Sequence, residues 1–376
     1  DQPDGNRGGS GHGDVFAPPW RRGFKTCFST EAKVPTFDPM RNPDEQRADG
    51  ADIWGTPGEP FGTHYWNEAG EKIADNLDGD DSRVIMDRAI PFIRQAHEES
   101  DPFLAVIWFH APHTPIVAGP EHRELYADHP DAEQHYYGCI TALDEQVGRL
   151  NQTLTELGID DQTIVWFCSD NGPEGPGPDG GPGQFQRCRG RTSGLRGRKR
   201  SLFNGGVGVP ALVKWPGQIA AGECFQTPSS TLDILPTLFD YLDQPLPDDR
   251  PVDGVSLRPM FEGERGWQRP RPIPYRFLSR QDEMFDSPTL ALIDGRWKFM
   301  TNLLDDRSGE LLFDLDSDMQ EQQNLAESHP DRCDAMRAHL EDFVDSCRAS
   351  HEGADYPNGK TAVGEFQTLH PDGWPS

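Results

Sequence analysis

Residues 103–109 read FLAVIWF and residues 163–168 read TIVWFC, and between them residues 136–158 read YYGCITALDEQVGRLNQTLTELG. An apolar run such as Phe103 to Phe109, bounded by Pro102 and His110, predicts a strand covered on both faces, as in a parallel sheet. In the middle stretch Ile140, Leu143, Val147, Leu150, Leu154 and Leu157 recur at alternating spacings of three and four, which predicts a helix that Gly158 stops. A third strand is predicted over Pro210 to Trp215. Strand, helix, strand in this order predicts right-handed crossovers, a parallel sheet, and ligands at the strands' carboxyl ends. The loops after Phe109 and Cys168 are therefore the ones to read for chemistry.

Upstream, a helix is expected from Asp81 to about Glu98, capped by Asp81 or Ser82, with Ile85, Ala89 and Ile93 on one face and a kink at Pro91. Residues 1–80 are rich in Gly, Pro, Asp and Trp with little periodicity, and read as loops packed on something else. Beyond about Pro270 the runs LALIDGRWKFM and GELLFDLD predict antiparallel strands, followed by a helix near Pro330 to Cys347. The expected division is thus a domain over 1–265 and a smaller α+β subdomain with its tail over 266–376.

The 376 residues carry 63 acidic against 35 basic side chains, a net charge of −28, and this field repels nucleic acid and anionic membrane alike. Only 34% of residues are hydrophobic, while 39 Gly and 34 Pro predict long structured loops. No apolar run approaches the roughly 18 residues of a membrane span. Seven cysteines, without CxxC spacing, signal neither a zinc site nor a disulfide framework. A site for an anion must gather its cations locally, and Arg187, Arg189, Arg191, Arg196, Arg198, Lys199 and Arg200 form the one dense basic stretch.

After the second strand comes Ser169-Asp170-Asn171-Gly172, where two side-chain oxygens suit a hard cation such as calcium or magnesium; Asx-Gly is also common turn chemistry. After the first comes His110-Ala111-Pro112-His113-Thr114-Pro115. His110 beside the strand reads as structural, and His113 between two prolines is the better candidate to hold an anion's oxygen. Lys199 lies among glycines leading to Asn204-Gly205-Gly206, where backbone can approach a ligand. Most of the neighbouring arginines are expected to face solvent or form salt bridges.

The order HAPHTP, YYGCITALDEQVGRLNQTLTELG, SDNG, LRGRKRSLFNGGVGVPALVKWPG and STLDILPTLFDYL resembles the sulfatase family of the alkaline-phosphatase superfamily. CFSTEAKVPTFDPM, FGTHYWNE and GELLFDLDSDMQEQQNLAESHP extend the resemblance over nearly the whole chain. It implies an α/β fold with a mostly parallel sheet flanked by helices, its first strands missing here, and the antiparallel C-terminal subdomain. By resemblance Asp170 and Asn171 match ligands of one calcium ion, and His113 and Lys199 match sulfate contacts. The implied activity is hydrolysis of a sulfate ester, on a polysaccharide or on small aryl or sugar sulfates. Periplasmic or secreted location is implied by the resemblance alone, and oligomeric state is not legible.

Departures matter as much. The family's nucleophile is a formylglycine made in a Cys/Ser-x-Pro-x-Arg motif, and none of the seven cysteines begins one. Ser328-His329-Pro330-Asp331-Arg332 fits the formula but reads as an ordinary helix start. The N-terminal aspartate pair of the calcium site is absent too, so the chain is expected to be N-terminally truncated, with an incomplete calcium site and no nucleophile. Asn204 stands where the family often has Glu. Alternatives are a non-catalytic binder of sulfated ligands and a phosphatase or phosphodiesterase cousin; Asn171 opposes the cousin, which typically has His there for a second metal. Substrate specificity is expected in the stretch Arg271 to Asp286.

Overall fold

A computed structural model describes residues 18–46, 50–175, 186–277, 287–302, 307 and 309–355; part of the expected specificity stretch, 278–286, lies outside them. The chain folds as two compact units, residues 1–163 with 174–191, and residues 164–173 with 192–376.

In the first unit β1 (Phe28–Thr30) pairs antiparallel with β2 (Tyr65–Asn67), and α1 (Asp81–Glu99), α2 (Pro120–Glu124) and α3 (Asp131–Leu157) follow. Asp80, one residue before the expected cap, closes the start of α1 by accepting the Arg83 N–H at 2.9 Å. Asp81 does not cap the helix. Fully buried, it accepts the Tyr65 hydroxyl and the His110 Nδ1 proton, the latter at 2.8 Å. The buried face of α1 is Val84, Met86, Ile90, Ile93 and Ala96, so of the expected row only Ile93 is buried, and the helix runs on through Pro91.

Helix α3 ends at Gly158 with φ 68°, as its sequence requires, and packs on α1 and α2. Its most buried face is small and polar: His135, Gly138, Cys139, Ala142 and Gln146. Of the expected apolar row only Leu154 is buried, and Ile140 is 38% exposed. Small side chains let α2 approach closely: a Cβ on Gly138 would lie 2.7 Å from the Ala118 methyl and 3.3 Å from the His122 backbone.

The run 103–109 departs furthest from its expected form. It has no strand ladder among the described residues, and alternate side chains face outward: Leu104, Val106 and Trp108 are exposed, Trp108 by 82%. The other set is half-buried, with Phe103 edge-on to Phe92 of α1 at 6.1 Å. A run built to be covered on both faces is covered here on one.

The second unit contains β3 (Val165–Cys168), α4 (Asn204–Val207), β4 (Ala211–Lys214), α5 (Ile234–Tyr241), α6 (Arg258–Phe261), β5 (Ile273–Arg276), β6 (Leu290–Asp294), β7 (Trp297–Thr301), β8 (Leu311–Asp314) and α7 (Pro330–His351). Strands β3 and β4 pair antiparallel, Val165 opposite Lys214 and Cys168 opposite Ala211, where strand order predicted parallel neighbours. Among the described residues the connection carries only the short α4, so the chain comes back head to tail instead of crossing over a long helix.

The C-terminal sheet has the order β5-β6-β7-β8, all antiparallel, as LALIDGRWKFM and GELLFDLD predict. Strand alternation gives it two apolar faces. Ala291, Ile293, Met300 and Phe313 pack with Leu202 and Phe203, while Leu290, Leu292, Phe299 and Leu312 meet Cys333, Met336 and Leu340 of α7. Pro330 opens α7, and the Ser328 hydroxyl donates to Leu325 O at 2.9 Å, so the formal Ser-x-Pro-x-Arg match is a helix start.

One charge sits inside this core. Lys298 shares a face of β7 with Met300 and is fully buried. Its Nζ lies 2.7 Å from Glu321 Oε1 and donates to Asn204 Oδ1 at 2.8 Å; Glu321 Oε2 accepts the Asn204 N–H at 2.6 Å. Burial alone pulls the lysine's pKa down and the glutamate's up, and each partner opposes the other's shift.

Two outcomes follow for stability. Lys298→Met leaves Glu321 buried without its counter-ion and is expected to cost about 3–5 kcal/mol in urea unfolding, with most of it recovered on adding Glu321→Gln; equal loss in the single and double variants would refute the coupling. The Asp80 carboxyl is pushed up to about 6, chiefly by burial, and its Oδ2 has no hydrogen-bond partner among the described residues. A raised carboxyl pKa contributes stability below its ordinary value and loses it as pH rises through about 6. Asp80→Asn keeps the cap and removes the charge, so its Tm should exceed the wild-type value at about pH 8 and differ little at about pH 4.

Candidate functional site

Asp170, Asn171 and Gly172 leave β3 directly. The exposed Asp170 accepts the Asn171 N–H at 2.9 Å, and Asn171 Nδ2 donates to Gly172 O at 3.0 Å, which orients the amide with its Oδ1 as acceptor. The next bonds tie this turn to the basic loop. Gly172 N–H donates to Gly206 O at 2.8 Å, Lys199 N–H to Pro173 O at 3.1 Å, and Gly205 N–H to Arg196 O at 2.6 Å. Side chains have no room here: a Cβ on Gly172 would stand 1.9 Å from Gly205 O, and one on Gly205 2.1 Å from Gly197 O. The structure thus brings the loops of Asp170, Asn171 and Lys199 together in one backbone-bonded cluster.

The buried ion pair underlies that cluster. Asn204 opens α4 and the Gly205-Gly206 approach, and both its backbone N–H and its amide oxygen are held by Glu321 and Lys298. Arg196 Nη1 donates to Glu321 O at 3.2 Å, with its guanidinium 3.8 Å from the centre of the Phe203 ring. The sequence flagged Asn204 only as a departure and missed Lys298 and Glu321. A signal for Lys298 existed: strand alternation in WKFM places it beside Met300, on a face with no route to water.

The basic stretch divides between the two units. Arg187, Arg189 and Arg191 belong to the first unit, and Arg196, Arg198, Lys199 and Arg200 to the second. Of the seven, Arg187 and Arg198 are buried, and Arg187 takes the salt-bridged form of the expectation. Arg187 donates to Ile116 O and Asp44 O at 3.1 and 2.8 Å, and lies 3.9 Å from Glu45.

His113 sits in the first unit between two cis X–Pro bonds, Ala111–Pro112 and Thr114–Pro115. Its N–H donates to His110 O at 2.6 Å, and its Nδ1 lies 2.8 Å from Thr114 O. A carbonyl only accepts, so Nδ1 is the donor to Thr114 O. His110 is structural, as its place beside the apolar run predicts: Asp81 takes its Nδ1 proton, and Nε2 accepts from the Thr30 hydroxyl at 3.1 Å.

For a hard cation, the Asp170 carboxylate and Asn171 amide oxygen are the right donor chemistry, as two of the six to eight oxygens calcium takes. Among the described residues no group of three or more His, Cys, Asp or Glu side chains forms a metal cluster. No helix among them is long and apolar enough to cross a membrane.

Known proteins carry the same pattern. The sulfatase family matches residues 21–244, and the N-sulphoglucosamine sulphohydrolase C-terminal family matches 197–349. Choline-sulfatase of Rhizobium meliloti (strain 1021) is 37% identical over 196 residues, 51% of this chain and 33% of that protein. Arylsulfatase A of Homo sapiens is 33% identical over 204 residues, 54% of this chain and 36% of that protein. The chain thus spans about a third of the length of these relatives. In structure it is similar to Ps i-CgsB, solved in complex with k-i-k-neocarrahexaose, with TM-score 0.70 and 21% identity over 93% of this chain and 70% of that one. A protein solved with its substrate D-glucosamine-2-N,6-O-disulfate gives TM-score 0.56 and 16% identity, covering 86% and 81%. These two likenesses show a common α/β fold. The sulfatase match takes in both the Asp170-Asn171 turn and the Lys199 loop and spans more than half of the sequence, and the chain belongs to the sulfatase family.

Proposed function

We propose that the protein carrying this chain hydrolyses sulfate esters of carbohydrates, with Lys199 and His113 on the sulfate and Asp170 and Asn171 among the ligands of one calcium ion. The family is generally metal-dependent. What carries the proposal is the family match across the Asp170-Asn171 turn and the Lys199 loop, together with the backbone bonds that hold these loops as one cluster. The carbohydrate class is supported by relatives: one fold neighbour was solved with a disulfated glucosamine substrate, and N-acetylgalactosamine-6-sulfatase of Mus musculus is 31% identical over 202 residues.

Each residue has a role that its chemistry fits. The Lys199 ammonium supplies positive charge to sulfate oxygens in a chain whose net charge of −28 otherwise repels them. His113, with Nδ1–H fixed on Thr114 O, accepts a proton at Nε2 when neutral and donates one to a sulfate or leaving-group oxygen when protonated. Asp170 and Asn171 offer oxygen to the cation. Calcium, when bound, supplies Lewis-acid charge to a sulfate oxygen.

In the full-length protein, release of sulfate from 4-nitrophenyl sulfate is expected to fall about a hundredfold or more in kcat for Lys199→Ala, the usual cost of losing one group that stabilises a developing oxyanion. Asp170→Ala should raise the calcium concentration needed for half activity, and a chelator should silence the wild type. Activity that survives both Lys199→Ala and chelation would overturn the proposal. If this chain alone binds sulfate through Lys199 and the full-length protein hydrolyses nothing, the role is binding without catalysis.

A further inference from the structure

Residues of the first unit wall a cavity of about 610 Å³, within the roughly 300–1,000 Å³ of typical ligand sites. None of His113, Asp170, Asn171 and Lys199 lines it. Its polar groups are of both kinds. Arg41, Arg123 and Arg187 bring N–H donors, and Asp38, Asp44 and Asp131 bring acceptors.

Several of these groups are held in place with capacity left over. His135 is 4% exposed, and its Nδ1 accepts the Ala118 N–H at 3.1 Å, so the proton is on Nε2. Burial, with Arg187 and Arg123 nearby, pushes its pKa down to about 3, so the ring stays neutral. That Nε2–H faces Asp131 Oδ2 at 3.9 Å, beyond hydrogen-bond reach. Arg123 donates from Nη2 to Asp131 Oδ1 at 2.6 Å, yet its buried Nε has no hydrogen-bond partner among the described residues. Arg187 spends one N–H on each of two carbonyls and lies 3.9 Å from Glu45.

The mixture decides what fits. An oxyanion offers acceptors alone and would meet the carboxylates of Asp38, Asp44, Glu45 and Asp131. A metal cation would meet three guanidiniums. An apolar ligand would strand the buried donors. A hydroxyl both donates and accepts, so a polyol satisfies both kinds of group, and Phe37 in the wall gives an apolar surface for the C–H face of a pyranose ring. We infer that this cavity binds the uncharged part of a carbohydrate chain, one or two pyranose rings without sulfate. The inference goes beyond the hydrolytic reading, and its test reads binding and not turnover.

The test titrates the full chain with maltohexaose, cellohexaose and neoagarohexaose at millimolar concentrations, with sodium sulfate as the ion probe, by calorimetry. Tryptophan fluorescence gives a second readout, because Trp54 donates to the wall residue Glu45 at 2.7 Å. At least one of the three hexasaccharides is expected to bind saturably. Arg123→Gln and Asp44→Ala, both checked for unchanged Tm, should each weaken it about tenfold or more, the loss of one charge-assisted hydrogen bond. Lys199→Ala should leave it unchanged, which separates this site from the sulfate site. No saturable binding by any of the three, equal binding in both cavity variants, or displacement by sulfate would overturn the inference.

Discussion

A buried ammonium is tolerated only where oxygen atoms meet it, and the fully buried Lys298 has two within 2.8 Å, from Glu321 and Asn204. Meeting that requirement fixes three pieces of chain at once: strand β7, the turn that carries Glu321, and Asn204 at the start of α4. Asn204 in turn sets the Gly205-Gly206 backbone, which holds the Asp170-Asn171 turn through Gly172; Gly205 also bonds the basic loop at Arg196. The Asp170-Asn171 turn is thus tied, through backbone, to a charge buried in the core. Asn204 serves both partners at once, its N–H donating to Glu321 and its amide oxygen accepting from Lys298.

The first unit solves a similar problem differently. Asp81, fully buried, takes protons from Tyr65 and His110, and Thr30 completes the chain of bonds at His110 Nε2. The result anchors the base of the proline-flanked loop, whose His113 N–H returns to His110 O. Here the buried acceptor is a carboxylate, and hydrogen bonds from Tyr65 and His110 hold the loop.

Much of this was legible from sequence. The C-terminal sheet was, because strand alternation and the glycine turn at Gly295 are local signals. The loops bearing Asp170 and His113 were placed by the apolar runs they follow, and that bearing Lys199 by its glycines and by the run it leads into. What was not legible depended on distant partners. FLAVIWF reads as doubly covered, yet nothing local tells which neighbours cover it, and Leu104, Val106 and Trp108 are exposed. Strand direction failed for a related reason: TIVWFC and PALVKW look the same whether β4 runs with β3 or against it. On α3 the apolar row was clear, but close approach by α2 at Gly138 buried the small and polar face instead. The partner of Lys298 was hidden because Glu321 lies in a turn after another strand.

Asn171 is the proposed ligand on which the choice of metal turns. An amide oxygen suits one hard cation, whereas a histidine at that place would serve a second, softer metal and phosphate esters. The most direct measurement is therefore kcat/KM of the full-length protein for 4-nitrophenyl sulfate and 4-nitrophenyl phosphate, side by side, with the bound metal counted. The sulfate ester should be the better substrate with one metal ion per chain. Preference for the phosphate ester, with two metals bound, would contradict the account.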